Sequence, residues 1–142
     1  MSVTFSIEND VARITIDRDE KRNAFNAEII GELTRALENI ADQPEVRAVV
    51  LAGAGKHFSA GADLGWMRSM ADMDHAENVA DAQQLAALME AVDHCPAPVI
   101  ARVQGAAFGG ALGLICAADI AVAADDARFC LSEVRLGILP AV

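Results

Sequence analysis

Basic residues are scarce in this sequence: 11 Lys and Arg stand against 21 Asp and Glu, a formal net charge of -10. Neutralising phosphates needs a basic face, so neither nucleic acid nor an anionic membrane is expected as a partner. Any anionic ligand must find a local cation. Cysteine is equally sparse, and Cys95, Cys116 and Cys130 lack the paired short spacing of a zinc site or a dithiol redox motif. Their odd number fits buried thiols in a reducing compartment. His57, His75 and His94 also sit at no ligand spacing, so no metal is expected. The opening MSVTFSIEND has neither the basic nor the apolar segment that directs secretion, which makes the cytoplasm the expected location. The apolar run over 103–118 is short for a membrane span, rich in glycine and followed at once by Asp119, so it reads as a buried helix. No low-complexity linker and no strong repeat of fixed period divide the chain.

What the sequence does have is 54% hydrophobic residues over 142 positions, enough for one core and too few for several domains. VTFSI and VARITI, separated by the turn-prone END, predict a hairpin. Asn26 can cap a helix whose apolar stripe is Ile29, Leu33, Leu37 and Ile40 and which ends before Pro44. RAVVLAG follows as a buried strand. Asp74 and Glu77 have capping-box spacing, and Leu85, Leu88, Met89 and Val92 mark a second amphipathic helix that stops at Cys95-Pro96. APVIARV, a short helix in GAAFGGALGLICAAD, and the strand candidates DIAVAA and ARFCLS complete the chain. Alternation of strands and helices predicts an α/β architecture. The apolar LGILPAV that closes the sequence calls for a partner surface.

Two tempting motifs fail. GAGKHFS lacks the spacing of a phosphate-binding loop and no helix signal follows it, and HFSAG has no glycine ahead of its serine as a nucleophile elbow requires. More informative are two segments of small residues, HFSAGADL and GAAFGGALGL, each just before an apolar or helical stretch. Small residues let backbone N–H groups reach a shared cavity, and two converging N–H groups at a helix N-terminus make an oxyanion hole. The same glycines would equally serve close packing of helix on sheet.

RNAFN, HFSAGADL, PVIARVQGAAFGGALGL and AADIAVAADDARFCLSEVRLGILP, in this order over almost the whole chain, resemble the crotonase superfamily, the enoyl-CoA hydratase and isomerase group. AAFGGALGL and ARFCLSEVRLGILP are most similar to bacterial 3-methylglutaconyl-CoA hydratase-like proteins of leucine and terpenoid breakdown. The resemblance implies an α/β fold with a crotonase-like ββα spiral core, here a single domain over residues 1–142, incomplete at the C-terminus because family members continue into a helical region. It implies hydration of an enoyl-CoA, branched or carboxylated, or else double-bond isomerisation, with homotrimers or hexamers in the full-length protein. A non-catalytic CoA-thioester binder is the alternative of another class. No cofactor is implied beyond the coenzyme A of the acyl-CoA substrate.

Carried over by position, the oxyanion-hole donors are the N–H groups of Ala62 and Gly110. The family's first glutamate falls on Gly113, which has no carboxylate, and its second on Glu133. On residue type alone, Glu133 reads as a surface carboxylate near Arg135; the resemblance makes it the catalytic acid or base. Lys21, Arg22 and Lys56 are the local cations for CoA phosphates, and Ala60, Asp63 and Leu64 are the further CoA-contacting positions. Asp63 also reads as an acceptor for nearby backbone N–H groups, and Asp119 as helix-end or strand-start structure. Trp66 and Met67 would line the acyl channel or belong to the core.

Overall fold

The structure, a computed structural model, describes residues 2–140; Ala141 and Val142 of the closing LGILPAV lie outside them. Strands β1 (Val3–Glu8) and β2 (Val11–Ile16) form the expected antiparallel hairpin, turned by Asn9 and Asp10 at φ 51° and 63°. Two left-handed residues in succession are what the twist of a tight hairpin requires. β3 (Ala48–Gly53) and β4 (Val99–Val103) then extend the sheet in parallel.

Helix α1 (Ala27–Glu38) begins where Asn26 accepts the Ile29 N–H at 2.9 Å. It buries Ile29, Leu33 and Leu37 against the sheet, while a following 3-10 turn places Ile40 in the same core. α2 spans Leu64–Met70, a helix that the sequence pattern does not announce. α3 (His75–Asp93) opens on the expected capping box, with Glu77 N–H to Asp74 Oδ1 at 2.9 Å and Asp74 N–H to Glu77 Oε2 at 2.8 Å. Only its last turns enter the core, through Leu88 and Val92.

The glycine-rich segment departs from a simple helix. β5 (Ala106–Phe108) comes first, then α4 (Ala111–Ala117), which buries Ala111 and Leu114 but leaves Cys116 exposed. The expected buried helix is therefore a short one with a single buried face. β6 (Ile120–Ala123) joins the large sheet, whose order is β1-β2-β3-β4-β6, and β7 (Arg128–Cys130) pairs with β5 in a second, two-stranded sheet. Asp119 sits at the strand start as expected, accepting the Val99 N–H at 2.7 Å. The architecture is α/β. The cysteines correct an expectation, since Cys116 is exposed and Cys95 and Cys130 are only half-buried. Among the described residues no helix is long and apolar enough to cross a membrane.

Candidate active site

Segments 58–61 and 104–108 run side by side, held by main-chain hydrogen bonds. Phe58 N–H donates to Gln104 O (2.8 Å), Ser59 N–H to Ala106 O (3.1 Å) and Phe108 N–H to Ser59 O (3.0 Å). His57 joins this ladder, its Nδ1 accepting the Ala106 N–H at 3.1 Å. Gly61, at φ +86°, lies so close that a Cβ there would stand 2.7 Å from Phe108 O. The two small-residue segments are thus packed backbone to backbone, the close approach that their glycines allow.

On its other side the first segment is fixed by RNAFN. Asn23 is buried, with its Nδ2 donating to Ala54 O (2.9 Å) and His57 O (2.8 Å), while its main-chain carbonyl accepts the Ser59 hydroxyl at 2.8 Å. Phe25 N–H donates to Gly61 O and Asp63 N–H to Phe25 O, both at 2.7 Å. Because successive backbone polar groups of an extended segment alternate sides, the Ala62 N–H between them turns away from Phe25.

Gly110 is placed from the second sheet. β5 pairs with β7 in the register Phe108 to Cys130, and Gly109 N–H donates to Cys130 O at 2.9 Å. That register carries the chain into the 3-10 turn Ser132–Leu136 and sets Glu133 against Gly109, where a Cβ would stand 3.0 Å from Glu133 Oε1. Gly110 itself caps α4. A seven-residue helix has a small dipole, so the Gly110 contribution is the N–H itself. Among the described residues neither the Ala62 nor the Gly110 N–H donates to a protein acceptor, whereas those of Ala60, Gly61, Asp63 and Gly109 all do. Glu133 Oε2 is likewise buried without a hydrogen-bond partner.

These groups face one cleft of about 670 Å³, lined by Ala60, Ala62, Asp63, Leu64, Gly110 and Glu133 and reached by Lys21. Arg22 and Lys56 lie outside its lining: both are exposed, and Arg22 serves the site through its carbonyl, which accepts the Ala60 N–H at 2.9 Å. Asp63 caps α2, accepting from Gly65 N–H (2.7 Å) and Trp66 N–H (3.2 Å), and pairs with Arg18 at 2.9 Å. Burial pushes its pKa up, but the Trp66 and Gly65 amides and the Arg18 guanidinium outweigh this and hold it below the usual 3.8.

Trp66 and Met67 line the cleft, and Trp66 also packs on the core. Three charged residues went unread in the sequence as parts of the site: Arg18, Arg135 on the cleft rim, and Asp81 on the second turn of α3. Asp81 is half-buried, and burial raises its pKa above 3.8. Among the described residues no group of three or more His, Cys, Asp or Glu could hold a metal ion.

The family model for enoyl-CoA hydratase/isomerase matches residues 6–142. An enoyl-CoA hydratase of Alternaria alternata, ACTT6, is 40% identical over 133 residues, which cover 91% of this chain and 41% of that protein. The crystal structure of an enoyl-CoA hydratase from Shewanella pealeana superposes with a TM-score of 0.95 at 49% identity, covering 99% of this chain and 53% of that one. Pseudomonas aeruginosa AtuE gives 0.94 at 38% identity, over 99% of this chain and 55% of its own. The chain spans about half the length of these proteins.

Proposed function

The chain belongs to the enoyl-CoA hydratase/isomerase family, and on that premise we propose that its cleft binds an enoyl-CoA thioester and adds water across the 2,3 double bond. Two unpaired N–H groups, at Ala62 and Gly110 on one cleft, carry this assignment. The thioester carbonyl oxygen accepts both. As the water oxygen bonds to C3, charge moves onto that oxygen to form an enolate, and each preorganised donor is worth roughly 3 to 4 kcal/mol at that point. Glu133, with its buried unpaired Oε2, takes the proton from the attacking water.

Coenzyme A enters as part of the substrate, and acid–base chemistry with oxyanion stabilisation calls on no metal or redox group. Lys21 at the cleft meets the CoA phosphates, Arg22 and Lys56 serve the part of the cofactor that extends beyond it, and Ala60, Asp63 and Leu64 contact the CoA moiety. The AAFGGALGL and ARFCLSEVRLGILP stretches favour a branched or carboxylated acyl group, as in 3-methylglutaconyl-CoA of leucine breakdown. A single crotonase-type domain in a cytoplasmic trimer or hexamer completes this reading.

Glu133→Gln tests it. Turnover falls by about 10²- to 10⁴-fold while the affinity for an unreactive acyl-CoA stays nearly unchanged. Unchanged turnover would remove Glu133 from the mechanism, and binding of acyl-CoA with no turnover in the parent protein would leave a non-catalytic binder. One observation favours a second reading: Gly113 offers no carboxyl, and moving a double bond needs one base only. Incubation in deuterated water separates them. A hydratase adds one water to 3-methylglutaconyl-CoA; an isomerase shifts the bond of a 3-enoyl-CoA with deuterium uptake and no gain of water.

A further inference from the structure

Hydration moves two protons, one off the attacking water and one onto C2. Glu133 accounts for the first, and Gly113 supplies no group for the second. Three carboxyls line the cleft: Asp63, Asp81 and Glu133. Asp63 is committed to capping α2 and to Arg18. Asp81 is free of such commitments, forming neither an ion pair nor a hydrogen bond among the described residues. Ala82 and Leu85, beside it on α3, line the cleft as well, so this face of the helix forms one of its walls.

We propose that Asp81 is the second proton-transfer group of the cleft, giving its proton to C2 while Glu133 takes one from water. The assignment rests on the hydratase reading above. In the balanced step the water O–H bond breaks, its oxygen bonds to C3, and its proton passes to the Glu133 carboxylate. The enolate so formed collapses to the thioester carbonyl as the Asp81 O–H bond breaks and C2 takes its proton, and exchange with solvent returns Glu133 to the carboxylate and Asp81 to the acid. Burial acts on Asp81 in the required direction, favouring the neutral form that can donate. The other charged groups on the cleft are Lys21 after β2, Asp63 before α2, and Glu133 and Arg135 in the 3-10 turn; on α3 itself Glu77, one turn earlier, is engaged in the capping box.

The test is Asp81→Asn in the full-length protein, with crotonyl-CoA and 3-methylglutaconyl-CoA as substrates and butyryl-CoA as an unreactive ligand. The expected result is a fall in kcat of about 100-fold or more, with KM and the butyryl-CoA Kd within about twofold of the parent, and loss of the alkaline limb of the kcat/KM pH profile. Asp81→Glu restores part of kcat. An unchanged kcat, or a loss confined to KM, overturns the proposal while the hydratase reading stands. A parent protein that hydrates neither thioester overturns both.

Discussion

Gly61 is the residue at which space and backbone conformation coincide. Its φ of +86° is one that L side chains rarely adopt, and its missing Cβ is what admits Phe108 O. Gly61→Ala therefore costs about 2 kcal/mol of stability, seen as a lower urea midpoint, and, on the proposed function, shifts the neighbouring Ala62 N–H, seen as a fall in kcat. An unchanged midpoint would mean that the loop yields without strain. The segments RNAFN, HFSAGADL and GAAFGGALGL were legible as motifs because their residues stand in an ordered pattern, whereas the individual parts of Asn23, Phe25 and Gly109 emerge only once the segments are packed together. Arg18, Asp81 and Arg135 were not, because a charged residue on a helix or turn gives no sign of the side to which it points until its neighbours are placed.

At the scale of elements, legibility followed length and caps. α1 and α3 carry a stripe and a side-chain cap, and the hairpin and the longer strands carry runs of five or six residues. β5 has three residues, too few for an alternation to show, and exists because β7 pairs with it. α2 has seven residues and no buried one, so its only signal is Asp63, which the sequence presents among glycine and alanine. The helix hangs on that cap. Asp63→Ala should lower stability by about 1 kcal/mol near neutral pH. Because the folded pKa of Asp63 is depressed, its contribution is complete above the ordinary value of 3.8 and is lost as pH falls through the lower, folded value. Parent and variant melting temperatures should converge under strong acid; a gap that persists there would assign the loss to something other than the carboxylate.

For the whole molecule, the polar and apolar surfaces are unevenly distributed. Edge strand β6 is exposed along its length, Val122 by 57%, and the C-terminal part of the described residues exposes further large apolar side chains, Val134 (78%) and Leu139 (87%) among them. Exposed apolar side chains favour association, while a net charge of -10 opposes it by self-repulsion. Salt screens the repulsion and leaves the apolar term, so the 142-residue chain should self-associate more at high ionic strength, with Val122→Lys reducing the effect in sedimentation velocity. Association that weakens with salt would make it electrostatic instead.

The unpaired N–H groups of Ala62 and Gly110 belong to the main chain, so no rotamer of their own residues aims them, and the backbone-to-backbone contact at Gly61 and Phe108 holds the segments that carry them. On the proposed function, side chains of the cleft walls can be exchanged and its acyl preference redrawn while the main chain that carries the Ala62 and Gly110 amides stays in place. A scaffold of this kind separates what can drift from what must hold still. If that function holds, new substrates can be acquired by mutation of Trp66, Met70 or Leu85, which line the cleft, without the chemistry having to be invented again.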